Sequence, residues 1–68
     1  MQTNKRKIAL ADLRKARGLT QKELASVFRC SAAAVCQWET GKRTPSLAMA
    51  ERISMFFETP IDNIKYGA

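Results

Sequence analysis

The side chains able to do chemistry in this chain are few, and most of them are cationic. Twelve lysines and arginines stand against six acidic residues, there is no histidine, and the thiols are Cys30 and Cys36. Acid–base or nucleophilic catalysis needs a base held beside its partner, typically a histidine or a clustered carboxylate. The acids are scattered through the chain as Asp12, Glu23, Glu39, Glu51, Glu58 and Asp62, and no glycine-rich phosphate loop occurs. A zinc site takes about four ligands, which two cysteines without a histidine cannot supply. The chain therefore reads as a non-enzyme with no metal and no cofactor. Both thiols read as small apolar side chains, with Cys36 as a redox switch the minor alternative.

Cations without partner acids can hold a polyanion, and their distribution favours that use. Residues 1–17 contribute +5 through Lys5, Arg6, Lys7, Arg14, Lys15 and Arg17 against Asp12, residues 18–45 add +2, and residues 46–68 give −1. Such an imbalance points to one side facing a polyanion and a separate face for other contacts. The 68 residues make one domain at most,. A chain this short buries only about 60% of its unfolded surface, so support from self-association or a partner is expected. No apolar run is long enough for a membrane span, and the basic start lacks the sustained hydrophobic core of a signal peptide. The expected location is the cytoplasm.

Helices must position these side chains. Residues 1–7 read as a basic flexible arm and residues 8–68 as a single domain. Helix 1 is expected over residues 8–17, with Leu10 and Leu13 inward, Ala9 and Ala16 beside them, and Asp12, Arg14, Lys15 and Arg17 in water. Gly18 supplies a left-handed stop. Thr20, Gln21, Lys22 and Glu23 spell a capping box that opens helix 2, whose inner stripe is Leu24, Ala25 and Phe28. Arg29, Cys30 and Ser31 form the turn, and Ser31 caps helix 3 over residues 32–40.

At about 100° per residue, Val35 and Trp38 face the inner side of helix 3. Ala33, Gln37 and Thr40 fall opposite, with Cys36 at the edge and Ala32 projecting from the first turn. A surface helix usually carries charge on its outer face. Here that face holds small residues and one glutamine, which suits close contact with another surface. A glutamine can bond adenine through N6 and N7, and alanines can meet thymine methyls. Gly41 closes the helix before a basic loop at residues 41–45.

Pro45 and Ser46 open helix 4, which runs to about residue 57. Leu47, Ala50, Ile53, Ser54 and Phe57 are expected inside, and Met49, Met55 and Phe56 leave apolar surface to spare. Thr59, Pro60, Ile61 and Asp62 start a last short helix with a threonine cap, a proline at the first position and an acid in the first turn. Ile61 and Ile64 anchor it. No strand-like alternation appears, and the expected class is all-α with five short helices.

Leu13, Arg14, Arg17, Gly18, Leu19, Thr20, Gln21, Leu24, Ala25, Val35, Trp38, Glu39, Gly41, Pro45, Ser46 and Leu47 together resemble the Cro/CI-type helix-turn-helix pattern. This family is also called XRE or lambda-repressor-like, and the likeness covers about residues 10–64. It implies a compact five-helix DNA-binding domain, helix-turn-helix at helices 2 and 3, that binds operator DNA as a dimer with helix 3 in the major groove. The implied base-reading positions are Ala32, Ala33, Cys36 and Gln37. Phosphate contacts would come from Gln21, Arg29, Ser31, Lys42, Arg43 and Thr44, and Arg14 would pair with Glu39. A dimer seam is expected at Phe56, Pro60, Ile61, Ile64 and Tyr66; the alternative is that Met55, Phe56, Ile61 and Tyr66 belong to the core.

Two positions depart from the family's pattern. Arg29 stands where a turn glycine is usual, so either a side chain is accepted in the left-handed region or the turn differs slightly in shape. Cys30 replaces a usual valine or isoleucine and makes the core smaller. The expected function is a sequence-specific, double-stranded DNA-binding transcriptional regulator, a repressor acting as a homodimer on a palindromic operator, with no membrane and no small-molecule ligand. The alternatives are an antitoxin or a restriction–modification controller of the same fold. From another class comes a protein-interaction module, which an acidic outer face on helix 3 would favour; this face is not acidic.

Overall fold

A computed structural model describes residues 7–67. The element order is β1 (Ile8–Ala9), α1 (Leu10–Ala16), α2 (Gln21–Phe28), α3 (Ala32–Thr40), α4 (Leu47–Phe57), a single 3-10 turn (Ile61–Asn63) and β2 (Ile64–Lys65). The arm expected at residues 1–7 lies, Lys7 apart, outside the described residues.

Local sequence explains where the helices start and stop. Thr20 Oγ1 accepts from the Glu23 amide at 3.0 Å while Glu23 Oε1 accepts from the Thr20 amide at 2.9 Å, completing the capping box,. Ser31 caps α3 by accepting from the Ala34 amide at 3.1 Å, and Ser46 caps α4 by accepting from the Met49 amide at 3.2 Å,. At the other ends, α1, α2 and α4 finish in one hydrogen-bond pattern. The amide after the left-handed residue reaches back five positions and the left-handed residue's own amide reaches back three: Leu19 to Arg14 and Gly18 to Lys15, Cys30 to Ala25 and Arg29 to Ser26, Thr59 to Ser54 and Glu58 to Met55,. Only the first of these three ends uses glycine. Arg29 (φ 57°) and Glu58 (φ 52°) adopt the left-handed conformation with side chains attached.

The core is built from one stripe of each helix. Leu10, Leu24, Val35 and Ile53 are fully buried, with Ala25, Phe28, Trp38, Phe57 and Ile64 around them. Full burial of one such aliphatic side chain contributes about 1.5–3 kcal/mol, so these few residues carry much of the fold. Phe28, Phe56 and Phe57 pack edge to face, with centroids 5.5 Å and 4.9 Å apart along the row,.

Several expectations are corrected. Among the described residues the α-helices number four, because the segment after Pro60 makes one 3-10 turn; Pro60 sits at its N-cap and Thr59 instead donates its hydroxyl to the Phe57 carbonyl. Helix α1 starts at Leu10 because Ile8 and Ala9 pair in parallel with Ile64 and Lys65. A two-residue strand carries no readable alternation, and its partner lies at the far end of the chain. Arg14 is buried rather than wet, and Ala16 is exposed. Leu47 keeps its place in the helical period, yet it is 70% exposed because no described element covers it. Ile64, expected at a dimer seam, is 4% exposed and belongs to the core of its own chain.

Tyr66 packs against that core with its hydroxyl buried, and no described residue hydrogen-bonds it. Burial also pushes the phenol's pKa up. A buried hydroxyl without a partner costs about 1–3 kcal/mol, so Tyr66→Phe should leave the thermal midpoint unchanged or raise it. A loss of more than about 1 kcal/mol would show that the hydroxyl is partnered in the folded chain.

Candidate nucleic-acid interface

The site rests on the joint between α2 and α3. Leu24, Ala25 and Phe28 of α2 face Val35 and Trp38 of α3 across the turn at residues 29–31. Arg29 lies in the left-handed region at φ 57°, ψ 44°, so the turn keeps the shape that usually selects glycine and tolerates the side chain. Its guanidinium stands exposed at the turn. The cost of a non-glycine residue there is about 1–2 kcal/mol.

With Val35 and Trp38 locked inward, α3 turns Ala32, Ala33 and Cys36 to solvent, and Gln37 is half-buried on the same side. No charged side chain interrupts this surface. Thr40 Oγ1 donates to the Cys36 carbonyl at 3.0 Å, which closes the last turn. The basic loop is fastened to the helix by the Arg43 amide, which donates to the Gln37 carbonyl at 3.2 Å. Lys42, Arg43 and Thr44 are all exposed beside the end of α3.

Glu39 holds this arrangement together. Its side chain is 6% exposed, and Arg14 forks onto it through Nε to Oε2 at 2.6 Å and Nη2 to Oε1 at 3.1 Å. Arg14 Nη1 also donates to the Leu19 carbonyl at 2.8 Å. Gln21 Nε2 donates to Glu39 Oε1 at 2.9 Å. One carboxylate therefore binds α1, the start of α2 and the last turn of α3. Burial alone would push the Glu39 pKa up; the hydrogen bonds from Arg14 and Gln21, with the positive charge of Arg14 and Lys15, outweigh it and hold the carboxyl below its ordinary value. The Arg14 pKa rises, chiefly through its hydrogen bond to Glu39.

The residues named from the sequence divide accordingly. Ala32, Ala33, Cys36, Gln37, Arg29, Ser31, Lys42, Arg43 and Thr44 lie along α3 and the two loops that bound it. Gln21 lies at the first position of α2, with its side-chain amide already held by Glu39. Ser31 Oγ serves as an acceptor in the cap. Of the residues expected at a seam, Pro60 and Ile61 are exposed, while Phe56 and Tyr66 are half-buried against the core. The Gln21–Glu39 bond was missed, because pairing an amide eighteen positions from a carboxylate has no local signal. Arg17 was also missed as a fastener: its guanidinium lies 5.2 Å and 5.3 Å from the Phe56 and Phe57 ring centroids and donates to the Phe56 carbonyl at 3.1 Å,.

A capped α2, a tight left-handed turn and an α3 with a smooth outward face define a helix-turn-helix domain. A family model described as helix-turn-helix matches residues 10–64, and the chain belongs to this XRE-type family. It is 38% identical over 58 residues to the HTH-type transcriptional activator BcrR of Enterococcus faecalis, a match that covers 85% of this chain and 28% of that protein. The chain thus spans under a third of the length of that relative. No solved structure gives a significant match.

The Glu39 network makes a stability prediction. Arg14→Met strands a buried carboxylate and should cost about 3–5 kcal/mol in urea unfolding, while Arg14→Met with Glu39→Met should cost less than Arg14→Met alone. Because the folded pKa of Glu39 is depressed, its contribution is fully present above the unfolded value and is lost as pH falls through the folded one,. Stability should therefore drop with acid below the ordinary glutamate range, and Glu39→Gln should flatten that slope. An equal slope in the variant would assign the acid sensitivity to other carboxylates.

Proposed function

We propose that this domain binds double-stranded DNA sequence-specifically, with α3 in the major groove, and regulates transcription. The observation that carries the reading is the uncharged outer face of α3 flanked by exposed cations. Arg29 stands before the helix, and Lys42 and Arg43 follow it. Phosphates would be held by those groups together with Ser31, Thr44 and the start of α2 at Gln21, where first-turn amides favour an anion. Base edges would meet Ala32, Ala33, Cys36 and Gln37, with Gln37 reading adenine. The match to a relative named as a transcriptional activator supports a regulatory role.

The domain acts in the cytoplasm as a homodimer on a palindromic site. Met55, 77% exposed, and Ile61, 36% exposed, supply apolar surface near Pro60 and Phe56 for the seam. Reading helices in such a dimer stand about 34–36 Å apart, one turn of the duplex. Repression by occupying a promoter is the mode we favour. A reporter whose output falls when the domain is expressed supports it, and a rise would place the sign with the Enterococcus relative's name.

Selection of bound sites from random duplex DNA tests the reading directly. It should return a palindrome, and failure to enrich any sequence would sink the proposal. On the selected site, Gln37→Ala should cost about 1–3 kcal/mol and relax preference at one base pair. Unaltered discrimination would remove Gln37 from base reading. Arg43→Ala should weaken selected and scrambled duplexes alike and reduce the salt slope by about 1. An unchanged slope would take Arg43 off the phosphates.

A further inference from the structure

The end of the reading helix touches the chain's last described residues backbone to backbone. Gly41, at φ +81°, caps α3, and Gly67, at φ +97°, lies directly on it. A Cβ on Gly67 would fall 3.2 Å from Gly41 Cα and 3.5 Å from Gly41 N; a Cβ on Gly41 would fall 3.1 Å from Gly67 Cα. The obstructing atoms are main chain, so no side chain can swing away to make room. The contact is firmly backed on one side, since Ile64 is in the core and pairs with Ile8 through the two short strands. On its other side sits the loop that carries Lys42, Arg43 and Thr44.

We infer that Gly67 is a positioning residue: the strand-and-tail segment at residues 64–67 fixes where the reading helix ends and where the basic loop points. The effect on DNA rests on the function proposed above; the effect on the loop does not. The role of Gly67 is to let two backbones approach so closely that a side chain on either would push its neighbour away by a few tenths of an ångström,. Of the three described left-handed glycines, Gly18 has the same backbone sign at φ +70° but nothing within 4 Å of its Cβ position. It therefore separates backbone strain from displacement of the neighbour.

Gly67→Ala, Gly41→Ala and Gly18→Ala are compared with the parent chain. Melting midpoints report strain, and the folded-state amide resonances of Lys42, Arg43 and Thr44 report loop placement, even where part of a sample is unfolded. All three variants should melt lower. Gly67→Ala and Gly41→Ala should move the loop resonances and weaken binding to the selected duplex by about tenfold. Gly18→Ala should leave those resonances in place and binding within about twofold. Loop resonances in Gly67→Ala that match the Gly18→Ala spectrum would overturn the inference. So would a Gly67→Ala chain that does not fold, because Gly67 would then be a folding residue. If the parent binds no duplex, the proposed function fails while the loop resonances still decide the coupling.

Discussion

The arrangement depends on one buried carboxylate. Glu39 sits at the end of a helix whose buried apolar anchors are Val35 and Trp38, with the small Ala34 partly buried against the same core. Two apolar anchors less than one turn apart hold a nine-residue helix down but constrain its roll weakly. The forked bond from Arg14 and the bond from Gln21 supply the missing constraint from two other helices. Removing a carboxylate and a guanidinium from water costs several kcal/mol each, and their attraction repays that only when geometry and hydrogen bonding are good. Here both carboxylate oxygens are bonded and the guanidinium spends a third donor on the Leu19 carbonyl. The network is thus better understood as fixing orientation than as adding net stability. A domain of this size has about 5–15 kcal/mol in total.

That role changes how the charge of the chain is weighed. The first seventeen residues are strongly basic, yet two of those cations are held by the fold, Arg14 buried and Arg17 at the surface. Arg14 is neutralised by Glu39, and Arg17 lies over the Phe56 and Phe57 rings and bonds a main-chain carbonyl. Net charge therefore overstates what this part of the chain offers a polyanion. The exposed cations around α3 include Arg29, Lys42 and Arg43, with Lys15 on α1 near Glu39 and Lys22 on α2. On the proposed reading, affinity comes from this ring and discrimination from a neutral face, with Gln37 the one polar side chain in its middle. Such a split leaves a large share of specificity to duplex shape and water.

Much of this was legible in the residues, and what was missed has a common cause. Thr20 with Glu23, Ser31 and Ser46 act within one helical turn, so type and spacing reveal them. Leu24, Phe28, Val35, Ile53 and Phe57 follow from a helical period that the fold obeys. Leu47 obeys the same period and is still exposed, because periodicity gives direction but not whether a neighbour stands there. Arg14 looks like any surface cation until its distant partner is known, and only the family resemblance paired it with Glu39. The strand pair joins residues at opposite ends of the chain and is too short to leave a pattern. The local grammar was readable, whereas contacts made across the chain were not.

The left-handed residues show why glycine stands at some helix ends and not at others. Arg29 and Glu58 take the same conformation as Gly18 and end their helices with the same hydrogen bonds, so the sign of φ alone does not demand glycine here. The strain of about 1–2 kcal/mol is accepted where the side chain has room outside. At Arg29 that room places a cation on the turn between the two motif helices. Gly41 differs, because the backbone of Gly67 lies only 3.1 Å from the place a Cβ would take. A substitution at Gly41 would meet both strain and a main-chain obstacle. The requirement for glycine at the end of α3 therefore comes from the tail packed against it as well as from φ, and it ties residues 64–67 to the basic loop beside that helix.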